Sequence, residues 1–295
     1  MLLRRFALAT LLPAAFAAAQ QGGAATATLA PELRPGENFV FTVSVESASR
    51  FEDAKKNVSM VTCLTFTATV GERELDATKV ECRLDRLRLR ATAPNVSVDY
   101  DSAAPLPDSG PLQTLRELTG SVFTLEVSAT GEVTAVEKPR LLDKAAEDSI
   151  GADFRTLFSA WFVALPHEPM AIGTSWNGSS KLFGVMPGNA ATPTTYRLAA
   201  VDRSQALVTA IYQPAAPTTR PGVMFEIRQS EGSMTIDLER RRIVRTEARL
   251  LARATRSKGS ETATSTIVMC AAEGAEDPAQ LAPKNSGAEA AKPQR

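Results

Sequence analysis

Residues 119–137, TGSVFTLEVSATGEVTAVE, decide the fold that the sequence predicts. The first part of this stretch alternates apolar and polar residues, which is the period-two pattern of a strand with one buried face. Its apolar residues are Phe123, Leu125 and Val127. Gly131 marks a turn, after which Val133 and Ala135 continue the apolar face. The stretch therefore predicts a β-hairpin that contributes one face to the core.

A second stretch, residues 232–248, GSMTIDLERRRIVRTEA, repeats this pattern more weakly around an arginine-rich turn at 240–242. A spacing of three residues between a glycine and an aromatic residue also occurs twice, at Gly36 with Phe39 and at Gly173 with Trp176. These repeated patterns predict a mainly β protein. We expect two related antiparallel β-meanders, curved sheets or half-barrels, joined by a central helical segment.

The charge balance of the chain argues against nucleic acid as a partner. The sequence has 295 residues, with 33 Lys and Arg against 33 Asp and Glu. Proteins that bind nucleic acid by electrostatic attraction carry a basic surface. With 44% hydrophobic residues and 22% charged residues, the chain is typical of a globular protein with a large core.

The N-terminus has the three parts of an export signal. Arg4 and Arg5 supply positive charge, residues 6–19 are a short apolar run, and residues 17–19 are small alanines suited to cleavage. A membrane-spanning helix needs about 20 apolar residues, so an uncleaved anchor helix is the weaker alternative. We predict that the mature chain is periplasmic or extracellular and has no transmembrane span after signal removal.

Composition and pattern together divide the chain into six segments. Both ends of the mature chain are poor in the large apolar residues that a packed core requires, which predicts disorder there. The predicted segments are a signal peptide at 1–19, a disordered leader at 20–35, an N-terminal β-meander at 36–138, a helical connector at 139–166, a C-terminal β-meander at 167–273 and a disordered tail at 274–295.

One predicted strand changes phase part-way along its length. Its apolar residues stand first at even and then at odd positions, namely Val80, Cys82 and Leu84, followed by Leu87, Leu89 and Ala91. One extra residue in a strand moves the following side chains to the opposite face. A β-bulge near Asp85 and Arg86 therefore explains the change.

The three cysteines, Cys63, Cys82 and Cys270, are an odd number in a compartment that permits disulfides. Cys63 and Cys82 lie on consecutive predicted strands and are the candidate pair. The expected register places them on opposite faces unless it slips by one residue, so the disulfide remains open. A catalytic thiolate is less favoured, because His167 is the one imidazole in the sequence that could activate it.

Candidate catalytic residues are few. Asp99 and Asp101 end a short predicted strand and could act as an acid and base pair, although aspartates at strand ends commonly cap turns. His167 and Glu168 are adjacent, so in an extended segment their side chains point in opposite directions. We therefore predict no catalytic residue, no metal site and no cofactor.

An aromatic helix is predicted at residues 153–165. Its apolar residues recur at helical spacing and are Phe154, Leu157, Phe158, Trp161, Phe162 and Leu165. We expect this face to pack across a sheet, with Phe158 and Trp161 buried. A lid over a hydrophobic ligand and a docking face for a partner are the alternatives.

The one basic concentration lies near the end of the chain. Arg245 and Arg249 belong to the polar side of the predicted strand at 243–256, which follows the arginines at 240–242. These side chains could hold an anionic group, or they could form a solvated face with scattered ion pairs. The candidate ligand-binding residues are Phe154, Phe158, Trp161, Phe162, Arg245 and Arg249.

Three short stretches carry a resemblance to known proteins: VDYDS at 98–102, LTGSVFTLEVSATGEV at 118–133 and LPHEPMAIGTSW at 165–176. In this order they resemble a family of exported bacterial β-rich proteins that is known only as a domain of unknown function. The resemblance implies an exported location and a β-rich architecture, and it implies no catalytic residue. At the level of fold, the pattern is similar to the curved half-barrels of periplasmic lipoprotein and lipid carriers.

Two functions from different classes fit the sequence. The first is an exported, non-enzymatic binding or envelope-structural protein that holds an apolar ligand between a curved sheet and the helix. Its expected partner is a lipid, another apolar ligand or an envelope protein. The alternative is an envelope-directed hydrolase that uses Asp99, Asp101 or His167.

Overall fold

A computed structural model describes residues 26–74, 76–105, 113–139, 154–180, 192–213, 218–220, 223–256 and 262–274. The strands, numbered in chain order, are β1 Thr26–Ala27, β2 Asn38–Phe51, β3 Val58–Glu74, β4 Ala77–Ala93, β5 Val96–Asp101, β6 Val122–Ser128, β7 Val133–Glu137, β8 Met170–Ala171, β9 Ser175–Ser180, β10 Thr192–Val201, β11 Gln205–Tyr212, β12 Thr218–Arg220, β13 Val223–Asp237, β14 Arg242–Arg256 and β15 Thr262–Glu273. The helices are α1 Gln113–Glu117 and α2 Phe154–Trp161, and Ala54–Lys56 form a 3-10 turn.

Thirteen strands form one open antiparallel sheet. Its order is β7, β6, β4, β3, β2, β15, β14, β13, β11, β10, β9, with β5 beside β4 and β12 beside β13. β1 and β8 form a separate two-stranded sheet. The predicted mainly β, antiparallel class is confirmed.

The first and last long strands join the two halves of the chain. Ser44 of β2 lies opposite Cys63 of β3 on one side and opposite Cys270 of β15 on the other. Because β2 pairs with both neighbours along most of its length, the N-terminal and C-terminal strands belong to one sheet. The prediction of two meanders joined by a central helix is not confirmed in that form.

The two halves begin with the same backbone arrangement. Gly36 and Gly173 have φ angles of +82° and +90°, which glycine adopts at little cost. Gly36 N–H donates to the carbonyl of Val70 at 2.8 Å, and Gly173 N–H donates to the carbonyl of Leu198 at 2.7 Å. In each case the residue after the glycine accepts a hydrogen bond in return. The recurring glycine therefore marks the same kind of strand entry in both halves.

The sheet bends around α2. The helix contacts both β7, at one edge of the sheet, and β14, which lies six strands further along. Six strand spacings span about 29 Å in a flat sheet, whereas a helix of 8 residues is about 12 Å long. One short helix can touch both strands only if the sheet curves, so the face that holds α2 is concave.

The predicted β-bulge in β4 is confirmed. Phe66 lies opposite Leu84 and Thr65 lies opposite Arg86, which leaves Asp85 as the extra residue. The side chain of Asp85 accepts hydrogen bonds from Thr67 and Arg83, which hold it on the outer face. The bulge allows both apolar runs of β4 to face the core.

β6 and β7 form the predicted hairpin, with Gly131 in the turn at φ +93°. Its buried residues include Phe123, Leu125 and Val127. A β-bulge shifts the register, so Val136 takes the inner position at which the sequence predicts Ala135. Ala135 instead lies opposite Glu126, in the outer row. A phase shift of this kind leaves no clear pattern in an arm of five residues.

The segment before β2 is ordered from residue 26, which corrects the predicted disordered leader. We call residues 26–37 the N-terminal strap. Within it β1 pairs with β8, and Leu29 is fully buried. Pro31 packs so closely on the turn of the hairpin that a Cβ atom at Gly131 would come within 2.6 Å of it. The strap therefore crosses one end of the concave face.

Several predicted segments lie wholly or partly outside the described residues. These are the signal peptide at 1–19, residues 20–25 of the leader, residues 140–153 of the helical connector and the tail beyond residue 274. Within the connector, α2 confirms the helix predicted around Trp161.

Trp161→Ala is expected to destabilise the protein by about 3 to 5 kcal/mol, because it removes a large side chain from a packed core. Trp161 is 3% exposed, and Phe158 is fully buried, as predicted. Urea unfolding followed by circular dichroism measures the change. Ile211→Ala, at a side chain that is 63% exposed, is the control and is expected to change stability by less than about 0.5 kcal/mol. An unchanged unfolding midpoint for Trp161→Ala would contradict the core assignment.

Candidate functional site

The concave face and α2 meet through stacked aromatic rings. The closest ring pairs, by centroid distance, are Phe123 with Phe154 at 4.5 Å, Phe41 with Trp161 at 5.1 Å and Phe66 with Phe158 at 5.1 Å. Phe162 meets Phe41 edge to face at 6.4 Å. Aromatic pairs in these arrangements each contribute about 0.5 to 1.5 kcal/mol beyond the burial of their area. The four predicted aromatic ligand-binding residues are therefore held together on one face, and each is buried.

A first crevice lies at the C-terminal end of α2, under the N-terminal strap. Its volume is about 350 Å³, including its solvent-open mouth. It is lined by Pro31, Leu33, Phe39, Gly131, Trp161, Phe162, Val163, Leu165, Arg242 and Ile243. No pattern in the sequence indicates Pro31 and Leu33, because they lie in the stretch whose composition predicts disorder. We call this space the apolar crevice.

A second crevice lies between α2 and the C-terminal strands. Its volume is about 310 Å³, again including its open mouth. It is lined by Ser159, Ala160, Val163, Tyr196, Tyr212, Ser233, Met234, Thr246, Glu247, Ala248 and Met269. We call it the hydroxyl crevice, because hydroxyl groups are its main polar groups. Val163 lines both crevices, so the two spaces are neighbours.

Both volumes include open solvent, so the two crevices are shallow openings at the surface and are smaller than enclosed ligand pockets. Ligand pockets are mostly apolar, with a few placed polar groups. Trp161 lines the apolar crevice directly. Trp176 is stacked on Tyr196, a residue of the hydroxyl crevice, at 5.5 Å. Each crevice therefore has one of the two tryptophans of the chain at or beside it.

Arg242 is the one charged residue among the described residues that line the apolar crevice, and it is paired with two carboxylates. Its Nε and Nη2 donate to Glu273, and its Nη1 donates to Glu37. The guanidinium lies over the ring of Phe39, 5.0 Å from the ring centroid. Arg242 is only 8% exposed, and a buried charge is tolerated when it is paired in this way. The arginine therefore presents no free positive charge to the crevice.

Of the other two arginines of the same turn, Arg241 holds the N-terminal strap and Arg240 holds the last strand. Arg241 donates through Nε to the carbonyl of Ala30 at 3.2 Å and forms an ion pair with Glu32 at 3.4 Å. Arg240 forms an ion pair with Glu273 at 3.3 Å. The arginine-rich turn thus joins the strap to the end of the sheet.

Arg245 and Arg249 lie on the opposite face of the sheet from the aromatic residues. Arg245 is opposite Ala272 and Arg249 is opposite Val268, both in the outer row of β15, whose inner row includes Met269. Arg245 approaches Glu247 at 3.9 Å, and Arg249 is exposed. The structure therefore divides the predicted ligand-binding set and does not bring these arginines to the aromatic cluster.

Asp101 is held in the outer row of the sheet by arginines of β4. Arg86 donates to both of its carboxylate oxygens, at 3.0 and 2.6 Å, and Arg88 forms an ion pair with it at 3.3 Å. The hydrogen bonds from Arg86, aided by the Ala103 N–H and by the charges of both arginines, lower the pKa of Asp101 to about 2, although partial burial opposes this shift. The carboxylate is thus an ionised partner for arginine.

The other candidates for hydrolysis are both exposed. Asp99 pairs with Arg90 at 3.1 Å, with both side chains about 70% exposed. His167 is exposed in the segment between α2 and β8. Among the described residues, no hydrogen bond or ion pair joins His167 to Asp99 or Asp101.

Cys63 and Cys82, the pair that the sequence left open, are not joined by a disulfide. Both side chains are buried. Cys82 lies opposite Ala68 on the inner face, whereas Cys63 lies opposite Arg88 in the outer row. Burial raises the pKa of Cys82, and burial with the nearby Glu247 raises the pKa of Cys270 to about 12. Such thiols stay protonated at neutral pH and are poor nucleophiles.

The described part of the chain contains neither a candidate metal site nor a helix that could span a membrane. Within it, no group of three or more His, Cys, Asp or Glu residues is placed to hold a metal ion. The helices described there include none that is long and apolar enough to cross a membrane.

Comparisons with known proteins point to the fold. No family model matches the sequence, and no curated protein gives a significant match. A solved structure of lipovitellin, which concerns its lipid–protein interactions, is similar with a TM-score of 0.52 and 9% identity. The similarity covers 83% of this chain and 26% of lipovitellin, so this chain spans about a quarter of that protein. At this identity the likeness shows the fold alone.

Two other solved structures were found at a TM-score of 0.21. One is DynF, from the dynemicin biosynthesis pathway of Micromonospora chersina, at 9% identity, with 94% of this chain and 96% of DynF covered. The other is an outer membrane channel from Pseudomonas putida F1, at 7% identity, with 82% of this chain and 97% of the channel covered. A TM-score of 0.21 is too low to indicate a shared fold.

Arg242→Met is expected to destabilise the protein by about 3 kcal/mol, because it removes the ion-pair partner of the partly buried Glu37 and leaves Glu273 with Arg240. The methionine retains most of the apolar length of the side chain, so the loss reports on charge. Urea unfolding measures it, with Arg249→Met on the outer face as the matched control. Equal unfolding free energies for the two variants would contradict the assigned role of Arg242.

Asp101→Asn is expected to flatten the acid limb of the stability curve. The folded-state pKa of Asp101, about 2, lies below its ordinary value of 3.8. The ionised group therefore contributes stability above pH 4, and this contribution is lost as the pH falls from 4 to 2. For a partly exposed pair we expect about 1 kcal/mol. Unfolding free energies at pH 2, 3, 4 and 6 provide the measurement. Asp99→Asn, in the exposed pair, is the control, and wild-type behaviour in Asp101→Asn would refute the assignment.

Proposed function

We propose that the protein is an exported, non-enzymatic binding protein that holds an apolar ligand between the concave face of its sheet and α2. The observation that carries this proposal is the pair of crevices beside α2, because they are the places where the aromatic core opens to solvent. One crevice is lined mainly by apolar side chains and the other adds hydroxyl groups. This composition is typical of sites for small apolar molecules.

The likeness to lipovitellin gives secondary support. That protein has a solved structure concerned with lipid–protein interactions, and the similarity covers 83% of this chain. Fold likeness does not by itself transfer a ligand. It does show that a sheet of this form occurs in a protein whose structure was analysed with its lipids, which agrees with an apolar ligand here.

Export to the periplasm or the cell exterior is part of the same proposal. It is supported by the charged, apolar and small-residue parts of the N-terminus. An extracytoplasmic carrier has a reason to enclose an apolar molecule, because such molecules are poorly soluble in the water between membranes. Amino-terminal sequencing of the protein from its own host is expected to give a mature chain that begins near Gln20.

Native mass spectrometry of the full protein, purified from its own host, is expected to show an apolar adduct that organic extraction removes. Val163→Trp, which places a large side chain in the wall shared by both crevices, is expected to lose the adduct. Val122→Trp is the matched control, because Val122 is 45% exposed, and it is expected to retain the adduct. Thermal melts of both variants separate loss of binding from loss of folding.

A ligand-free spectrum of the wild-type protein, together with no uptake of long-chain lipids by the extracted protein, would overturn the proposed function. An envelope-structural role would then be favoured. A hydrolase would gain support only if extracts of the envelope were cleaved by the wild-type protein and left intact by a His167→Ala or Asp99→Asn variant.

A further inference from the structure

We propose that the N-terminal strap is an autoinhibitory plug: its apolar side chains fill the end of the concave face beside α2, and an apolar ligand enters by displacing them. The inference rests on the proposed function and adds the step by which the site opens. It starts from the two crevices, which are shallow openings at the surface. A ligand held deeper, between α2 and the sheet, requires an element of the protein to move.

The strap can be displaced without disturbing the large sheet. Residues 26–37 contribute one strand, β1, which pairs over two residues with β8 in a separate sheet. The ladder between β2 and β3 begins at Asn38, after the strap. Segments that make few ladder hydrogen bonds open at a lower free energy than core strands do. Departure of the strap therefore leaves every strand pair of the large sheet in place.

The strap places apolar side chains at the end of the concave face. Ala27 and Leu29 are buried members of the main core cluster. Leu33 lines the apolar crevice together with Trp161 and Phe162. Without the strap, this crevice would widen into a groove bordered by aromatic rings, and exposure of such a surface to water is unfavourable. The strap and an apolar ligand therefore compete for the same place.

Gly36 gives the strap a fixed pivot. Its N–H donates to the carbonyl of Val70 at 2.8 Å, and the Val70 N–H donates to the carbonyl of Glu37 at 2.9 Å. The side chain of Glu37 is in turn held by the buried Arg242. These contacts tie residues 36 and 37 to the sheet, so residues 26–35 move about Gly36 while β2 stays paired.

Arg241 holds the middle of the strap. Its Nε donates to the carbonyl of Ala30 at 3.2 Å, and its backbone carbonyl accepts from the Glu32 N–H at 2.9 Å. The ion pair between Arg241 and Glu32 joins side chains that are 35% and 41% exposed. Ion pairs at such exposure contribute little to stability. Arg241 therefore positions the strap without preventing its displacement.

A disulfide between the strap and β8 tests the plug. Thr26 and Ala171 are directly opposite each other, and opposed residues of antiparallel strands have Cα atoms within the range that a disulfide spans. Thr26→Cys with Ala171→Cys fixes the end of the strap that Gly36 does not hold. The three native cysteines are buried, so oxidation addresses the engineered pair. Thr92→Cys with Ser97→Cys, an exposed opposed pair between β4 and β5, is the matched control.

The probe is N-phenyl-1-naphthylamine, an uncharged fluorophore whose emission rises in apolar surroundings. It is added to the full protein after organic extraction of any adduct. The oxidised strap variant is expected to take up the probe roughly tenfold more slowly than the same variant after reduction, because only the opened state binds. Oxidation of the control variant is expected to leave its rate unchanged. Comparing one variant in two redox states separates the effect of the disulfide from that of the substitutions.

Arg241→Met is expected to take up the probe several-fold faster than the wild-type protein, because the strap loses the side chain that holds Ala30 and Glu32. Arg240→Met, in the same turn, is the matched control. The ion-pair partners of Arg240 are Asp237 and Glu273, which lie outside the strap. Its variant is expected to keep the wild-type rate.

Hydrogen exchange distinguishes a plug from a lid. Saturating probe is expected to speed the exchange of the amides of residues 26–35 in the wild-type protein, because the probe takes the place of the strap. Slower exchange of these amides would show that the strap closes over the ligand, and would overturn the inference.

Failure of the inference and failure of the proposed function give different results. Uptake by the oxidised strap variant that is as fast as uptake by its reduced form would overturn the plug and leave the proposed function standing. Absence of uptake by the wild-type protein, the reduced variant and Arg241→Met would refute the proposed function itself.

Discussion

The pairing of β2 with β15 is the constraint on which the rest of the structure depends. It joins the first long strand to the last one, from Phe41 opposite Glu273 to Phe51 opposite Ala263. Without it, each half would have an additional unpaired edge, and exposed edges are costly and promote aggregation. With it, the inner rows of both halves form one concave surface. Phe41 lies within this surface and stacks on Trp161 of α2, so the strand pairing and the position of the helix depend on each other.

The two faces of the sheet differ in charge because the inner face is buried and the outer face is exposed to solvent. The inner face is built from aromatic and aliphatic side chains, and the outer face has arginines whose carboxylate partners are also at the surface. Arg242 is the exception, because it lies at the rim of the concave face. Two glutamates and the ring of Phe39 compensate its charge. A buried and unpaired guanidinium would be unstable there, and this requirement places the carboxylates of Glu37 and Glu273 beside the neighbouring crevice.

The candidate site is formed by parts of the chain that are far apart in the sequence. The N-terminal strap, the end of α2, the start of β14 and the tyrosines of β10 and β11 meet around Val163. The arginine-rich turn holds the strap through the ion pairs of Arg241 with Glu32 and of Arg242 with Glu37, so contacts that stabilise the end of the sheet also border the apolar crevice.

The sequence by itself determined the local features: the mainly β class, the hairpin at Gly131, the bulge at Asp85 and the buried face of α2. Each of these follows from the spacing of apolar residues, which reports directly on which side of a strand or helix is buried. Only the tertiary structure decided that the strap is ordered and that Arg245 and Arg249 lie away from the aromatic cluster. It also decided the partners of Arg242, of which Glu37 is 205 positions away. Such pairings depend on strand order and register across the whole sheet, and a local pattern of apolar residues carries no information about them.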